Sequence, residues 1–217
     1  MIDTKARIIE AAERLFGQHG YEATSLRHVI AEAGVNLAAI HYHFGSKEEL
    51  LNEIVGRFAE PVNQRRIEFL EQLEADFAGA PIPVERIIEA FLLPAGQLAS
   101  RASMRLMGRL FGEGLMPSIA ERHFKPTGKR YAHALRRTLP QIPDEEFLWR
   151  IDFMVGAMSH AMMRAGVVAP EPSELDGRPD LTPGSYGARR LACLVQFLSA
   201  GFRAPGMQVE EKVEAVK

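Results

Sequence analysis

The chain is 217 residues long, 47% of them hydrophobic, with 26 Lys and Arg against 28 Asp and Glu. That length holds one large domain or two small ones, with apolar content ample for a core, while a net charge of −2 excludes a generally basic nucleic-acid coat, so any DNA contact must come from a local patch. A single cysteine, Cys193, excludes an intrachain disulfide framework and fits a reducing, cytoplasmic setting.

The amino-terminal stretch MIDTKARIIEAAERLF is amphipathic and charged, without the continuous apolar core of a secretory leader. No apolar run in the chain approaches the ~20 residues needed to span a bilayer, so no membrane partner is expected. Ile8, Ala12, Leu15 and Phe16 share one helical face, Leu26, Val29, Ile30 and Ala33 a second, and Ile40 and Phe44 a third. Three short amphipathic helices of this kind bury one another's stripes, and the outer face of the third is left free for a DNA major groove. The turns agree. Gly34 stands where the second helix must stop, and Asn36 is an N-cap for the third, with Val35 and Ile40 as the staple around it. Thr24 or Ser25 caps the second helix, and Ser46 with Glu49 makes a capping box for a fourth.

That fourth helix, 46–77, is long, and Pro61 is expected to kink or interrupt it. GAPIP (79–83) is a linker. Helices follow over 84–101, with Pro94 inside, over about 104–111, and over 117–138 with a break at Pro126. LPQIP (139–143) punctuates, and Asp144 opens a strong helix to about Arg164. Residues 167–185 are rich in proline and glycine and read as a long surface loop. Thr182 and Pro183 then start a last helix to about Phe202, and the tail beyond 204 is charged. No period-2 strand pattern and no internal repeat is evident, so the fold class is all-α.

IIEAAERLF (8–16), GYEATSLRHVIAEAGV (20–35) and HYHFGSKEELL (41–51) together resemble the TetR family of bacterial transcriptional regulators. The variant VNLAAIHYHFGSKEEL is similar to a branch of that family containing fatty-acid-responsive regulators of pseudomonads, and RLFGEGL (109–115) and EEFLWRIDFMVGAM (145–158) extend that likeness. The resemblance implies an all-helical, dimeric repressor. Its helix-turn-helix DNA-binding domain would be residues 1–50, its effector-binding and dimerisation domain 51–205, and its flexible tail 206–217. The sequence departs from the family pattern early in the third helix, where Leu37, Ala38 and Ala39 replace lysine, glycine and threonine, and His41 replaces a tyrosine. Fewer cations there favour apolar contacts, such as thymine methyl groups, over phosphate attraction.

On a short helix entering the groove end-on, the amino-terminal residues meet base edges. Asn36, Leu37, Ala38, His41 and Tyr42 occupy the exposed arc; Leu37, Ala38 and Tyr42 are expected near bases, His41 on a phosphate or a base, and Ser25, Arg27 and Lys47 on phosphates. The first fifty residues carry seven acidic and five basic side chains, so binding rests on placement and few phosphate contacts. For a small, largely apolar effector (a fatty acid or acyl-CoA), the candidates are Phe91, Gln97, Arg105, Arg109, Phe111, Trp149, Phe153 and His160, with Arg105 or Arg109 on the head group. Ordinary core packing for the apolar ones, and pairing of the arginines with Glu113 or Glu121, is an equal alternative. Met154, Met158, Leu191, Val195, Leu198 and Phe202 fall at heptad-like spacing, which fits an intrachain core as well as a homodimer seam across a four-helix bundle; the family resemblance implies the dimer. Catalysis is disfavoured. No histidine has a glutamate three residues before it, and no HExxH, CxxC, P-loop or GxSxG motif occurs. No metal or cofactor is expected. Two rivals remain: a helical adaptor that does not bind DNA, which sequence-selective duplex binding separates, and a DNA-binding protein without a ligand, whose C-terminal domain has a solid core.

Overall fold

The computed structural model describes residues 4–98, 100–163 and 185–206. Among them the regular structure is helical: α1 (Thr4–His19), α2 (Leu26–Ala33), α3 (Leu37–Phe44), α4 (Lys47–Asp76), α5 (Val84–Leu98), α6 (Arg101–Gly112), α7 (Met116–Ile119), a π-helical turn (Ala120–Phe124), α8 (Lys125–Thr138), α9 (Asp144–Met163) and α10 (Ser185–Arg203). The expected loop at 167–185 and the Thr182–Pro183 start fall almost wholly outside the described residues, as does the tail beyond Gly206.

The first three helices close as their apolar stripes require. Ile8, Ala12, Phe16, Val29 and Ile40 are sealed from solvent. Ser25, not Thr24, caps α2, accepting the His28 N–H; Thr24 is buried and donates to the Gly20 carbonyl at 2.7 Å. Gly34 ends α2 at φ 62°, and Arg7 donates to the Ala33 and Gly34 carbonyls there. A side chain at 34 would meet both a left-handed backbone and that guanidinium. Asn36 caps α3 by accepting the Ala39 N–H at 3.0 Å.

Three boundaries differ from expectation. Helix α4 runs unbroken through Pro61. Arg57 and Pro61 both face solvent, where water satisfies the carbonyl that loses its partner, while Phe58, Ala59 and Val62 hold the other side in the core. Second, the Ser100 hydroxyl accepts the Ser103 N–H. That cap starts α6 at Arg101, earlier than expected, and α5 stops at Leu98. Third, Pro126 does not break the chain; it sits in the first turn of α8, where a missing N–H costs nothing. The irregularity lies just ahead, in the π turn.

Apolar packing forms two clusters. One joins α1–α3 and the first half of α4, as far as Val62, to Leu106, Met107 and Leu110 of α6. The other joins the second half of α4 (Leu70, Leu73) to α5, α8, α9 and α10. Arg150 locks the last pair: it is 8% exposed, bonds Glu146 and donates to the Gly201, Phe202 and Pro205 carbonyls, closing the carboxyl end of α10. No helix among the described residues is long and apolar enough to cross a membrane.

Candidate nucleic-acid interface

Helix α3 is anchored on one side by Ile40 and Phe44. Its other side is open: Leu37 is 45% and Tyr42 87% exposed, and Ala38 and His41 are exposed beside them. Large apolar groups held out in water on an eight-residue helix are costly unless something covers them. Tyr42 leans edge-on against His43, ring centroids 5.0 Å apart, and does not fold back onto the long helix. His41 Nδ1 lies 3.1 Å from the Gly45 carbonyl, which ties the ring to the end of α3. Asn36 is exposed but its side-chain oxygen is committed to the cap.

The cations sort themselves. Lys5 pairs with Glu53 at 2.8 Å, Arg14 pairs with Glu32, and Arg7 is spent on the α2 terminus. Arg27 is exposed with no hydrogen-bond or ion-pair partner among the described residues. Lys47 lies 4.1 Å over the Tyr21 ring, a cation–π contact. Neither Arg27 nor Lys47 has a carboxylate partner among the described residues, and little other basic charge in the first fifty residues is unspent.

Besides the Lys5–Glu53 pair and the hydrogen bond from the Ser103 hydroxyl to Glu13, two polar ties join this unit to the rest. Arg109 of α6 donates to the Gly17 and Gln18 carbonyls at 2.9 and 2.7 Å, and Glu113 accepts the Tyr21 N–H at 3.0 Å. The turn between α1 and α2 is therefore held from the second domain. The second tie runs from the first turn of α4 to the π turn. Arg122 forks onto both oxygens of Glu49 at 3.1 Å, and this holds the Glu49 carboxyl below the usual carboxylate range. Glu49 consequently does not return to the Ser46 N–H, so the expected capping box is half made. The neighbouring His123 accepts the Asn63 amide on its carbonyl at 2.7 Å, and its ring faces Asn52 at 3.4 Å. Burial, then the adjacent Arg122, push its pKa down, against Glu60 and Glu49. A polar groove of about 410 Å³ runs along this tie, with Glu49, Asn52, Gly56, Glu60, Arg122 and His123 on its walls. Arg122 and His123 have no local signal, and Glu113 is legible only as an ion-pair candidate for Arg105 or Arg109, because their partners in these ties lie 60 to 92 positions away.

The eight effector candidates are not brought together. Phe91 points inward, half-buried and edge-on to Tyr131 at 5.1 Å. Phe111 is half-buried on α6, and Gln97 and Arg105 are exposed. Arg109 belongs to the joint just described. Trp149, Phe153 and His160 lie on the outer side of α9, with Trp149 41% and Phe153 71% exposed. The dimer candidates are displaced the other way. Met154, Leu198 and Phe202 are at most 5% exposed within one chain, and Met158, Leu191 and Val195 pack against the same core. The spacing was a true stripe, but it faces α5 and the chain's own interior. The stripe left outside is Leu148, Trp149 and Phe153 on α9 with Cys193 and Phe197 on α10.

Fold and interface define a class: a helix-turn-helix unit mounted on a larger helical domain. Residues 8–54 match the model for bacterial regulatory proteins of the tetR family, and residues 89–201 match the tetracyclin repressor-like C-terminal domain. The chain belongs to the TetR family. Among curated relatives, the transcriptional regulator LmrA of Bacillus subtilis is 31% identical over 48% of this chain and 59% of its own length. TtgR of Pseudomonas putida is 43% identical over 24% of this chain and 25% of its own. The chain spans less than two thirds of the length of these relatives; they are transcriptional regulators by name, not enzymes. A tetR family transcription regulator from Shewanella sp. PV-4 superposes with TM-score 0.61 at 17% identity, covering 92% of this chain and 97% of the other. The HlyIIR mutant protein does so with TM-score 0.54 at 17% identity, over 90% and 95%. At such identities these structures establish the shared fold.

Proposed function

We propose that this protein is a ligand-responsive transcriptional repressor that binds a pseudo-palindromic operator as a homodimer. The observation that carries the reading is the uncovered α3 face: Leu37, Ala38 and Tyr42 stand in water beside two uncommitted cations, Arg27 and Lys47. Residues 1–50 read the DNA, and residues 51–205 bind effector and dimerise. Leu37 and Ala38 meet base edges with Tyr42, while His41 and Asn36 border them, and Ser25, Arg27 and Lys47 meet phosphates. A two-fold molecule requires two half-sites roughly one helical turn, or a multiple of it, apart.

The partner surface for the second copy is the outer stripe of α9 and α10: Leu148, Trp149, Phe153, Cys193 and Phe197. Two helices from each copy make a four-helix bundle, the geometry that apolar stripes on adjacent helices favour. The effector is small and largely apolar, such as a fatty acid or an acyl-CoA, in line with the sequence likeness to a fatty-acid-responsive branch. It acts by changing the spacing of the two α3 helices. The bonds of Arg109 and Glu113 to the turn between α1 and α2, and the Arg122–Glu49 pair, are the physical links through which that change travels. Coupling of about 1–3 kcal/mol weakens operator binding roughly 5–150-fold.

Selection from a random duplex pool tests the reading. The expected result is an enriched inverted repeat bound by wild type, with Tyr42→Ala relaxing base preference and Lys47→Ala weakening all duplexes alike. A pool that never enriches, with no salt-sensitive binding, would return the protein to the adaptor class.

A further inference from the structure

Arg66 lies in the middle of α4 and is 3% exposed, yet it meets no carboxylate. Its guanidinium sits 3.9 Å over the Phe91 ring, Nε donates to the Phe91 carbonyl at 2.8 Å, and Nη1 reaches Asn63 Oδ1 at 3.4 Å. A guanidinium has five N–H donors; those on Nη2 have no acceptor among the described residues, and Nη2 itself is not sealed from solvent. The carboxylates on its own and neighbouring helices are engaged elsewhere. Glu68 pairs with Arg65, Glu71 and Glu74 with Arg130, Glu89 with Arg86, and Glu85 with Arg203. Glu60 acts on His123. The side chain is therefore largely buried with no carboxylate partner among the described residues, and burial pushes its pKa down to about 10, with Tyr131 the group opposing this.

A buried, unpaired cation is a standing cost to a fold. An apolar side chain of similar length fills the same space without it, so Arg66 is poorly explained as packing. An arriving anion would supply what is missing, in the forked geometry that guanidinium groups favour. We propose that Arg66 is the anion-recognising residue of the effector site. The effector then carries a carboxylate or phosphate head on an apolar or aromatic body, lodged where α4, α5 and α8 meet at Arg66, Phe91 and Tyr131. This inference rests on the ligand-responsive reading above and moves the head group from Arg105 or Arg109 to Arg66. It also gives the head group a mechanical link. Asn63 touches Arg66 with its oxygen and the His123 carbonyl with its amide. An anion that takes Nη1 from Asn63 disturbs the π turn beside the Arg122–Glu49 tie.

The test compares matched probes on the full chain: benzoate, decanoate and decyl phosphate against benzyl alcohol and decanol. Thermal melting and calorimetric titration are read on wild type, Arg66→Met and Arg66→Lys, with selected-duplex binding measured on the same samples. At roughly a hundredfold above Kd, at least one anion should raise the wild-type melting temperature by about 5–10 °C, and its matched alcohol should not. Arg66→Met should melt at or above wild type without ligand and lose the anion-dependent shift. Arg66→Lys should bind the same anion at least tenfold more weakly. The inference is overturned if no anion shifts wild type, if the alcohols shift it equally, or if Arg66→Met keeps the shift. Should Arg66→Met not fold, the wild-type anion and alcohol comparison together with Arg66→Lys decides. Duplex binding that persists while every anion fails removes the site and leaves the regulator reading intact; anion binding without duplex binding does the reverse.

Discussion

Phe153→Ala should dissociate the proposed homodimer while leaving each chain folded. The ring is 71% exposed in the single chain, so of a ring surface of roughly 200 Å², about 140 Å² is available to a second copy. At ~25 cal/mol per Å² that burial is worth about 3.5 kcal/mol. Alanine keeps the Cβ, so truncation should cost about 2–3 kcal/mol per copy, or about 4–6 kcal/mol per dimer. The dimer Kd then rises by about 10³–10⁴-fold. Sedimentation equilibrium from nanomolar to micromolar protein measures it, with circular dichroism checking that the monomer stays helical. Leu198→Ala is the control on the opposite face: at 5% exposure it should cost about 2–5 kcal/mol of fold stability, with a much smaller direct effect on the dimer constant. If Phe153→Ala dimerises within a factor of about three of wild type, the outer stripe of α9 is not the contact and the assignment fails.

Other outcomes follow from the joints. Gly20→Ala places a Cβ against the Glu113 carboxylate on a backbone at φ 94°, so it should destabilise the fold by about 1–3 kcal/mol in chemical denaturation. His123→Gln should flatten the pH dependence of melting. The folded pKa of His123 is depressed, so its share of stability is present above the ordinary histidine value of about 6.5 and is lost as pH falls through the folded value. Wild type should lose melting temperature on that side faster than the variant does. Lys47→Ala should reduce the slope of log affinity against log salt by about 1 per subunit, in duplex titrations at several salt concentrations.

Much of the reading unit was legible because its signals are local. The N-caps at Asn36 and Ser46 and the turn at Gly34 each involve residues within a few positions and are present, although Glu49 turns to Arg122 and leaves the capping box at Ser46 half made. The face of a helix that meets a partner is a different matter. Helix α9 carries apolar residues nearly all round, with Phe147, Ile151 and Met154 inward and Trp149 and Phe153 outward. Spacing finds both stripes and cannot rank them, and the inward one was taken for the dimer seam. The unbroken α4 was missed because the effect of Pro61 depends on whether the orphaned carbonyl faces water. Arg66 had a signal that went unused. Val62, Arg66, Leu70 and Leu73 lie at helical spacing, so the arginine falls on the buried stripe, while its neighbour Arg65 falls on the wet one.

The most direct measurement is a hydroxyl-radical footprint of the protein on its selected duplex. Two protected patches, centred about one helical turn or a whole multiple apart on one face of the duplex, are the result expected of paired α3 helices in successive major grooves, with the pattern lost in a Leu37→Ala, Tyr42→Ala double variant that still melts as wild type. A footprint unchanged in that variant, or protection without two-fold spacing, would contradict the account.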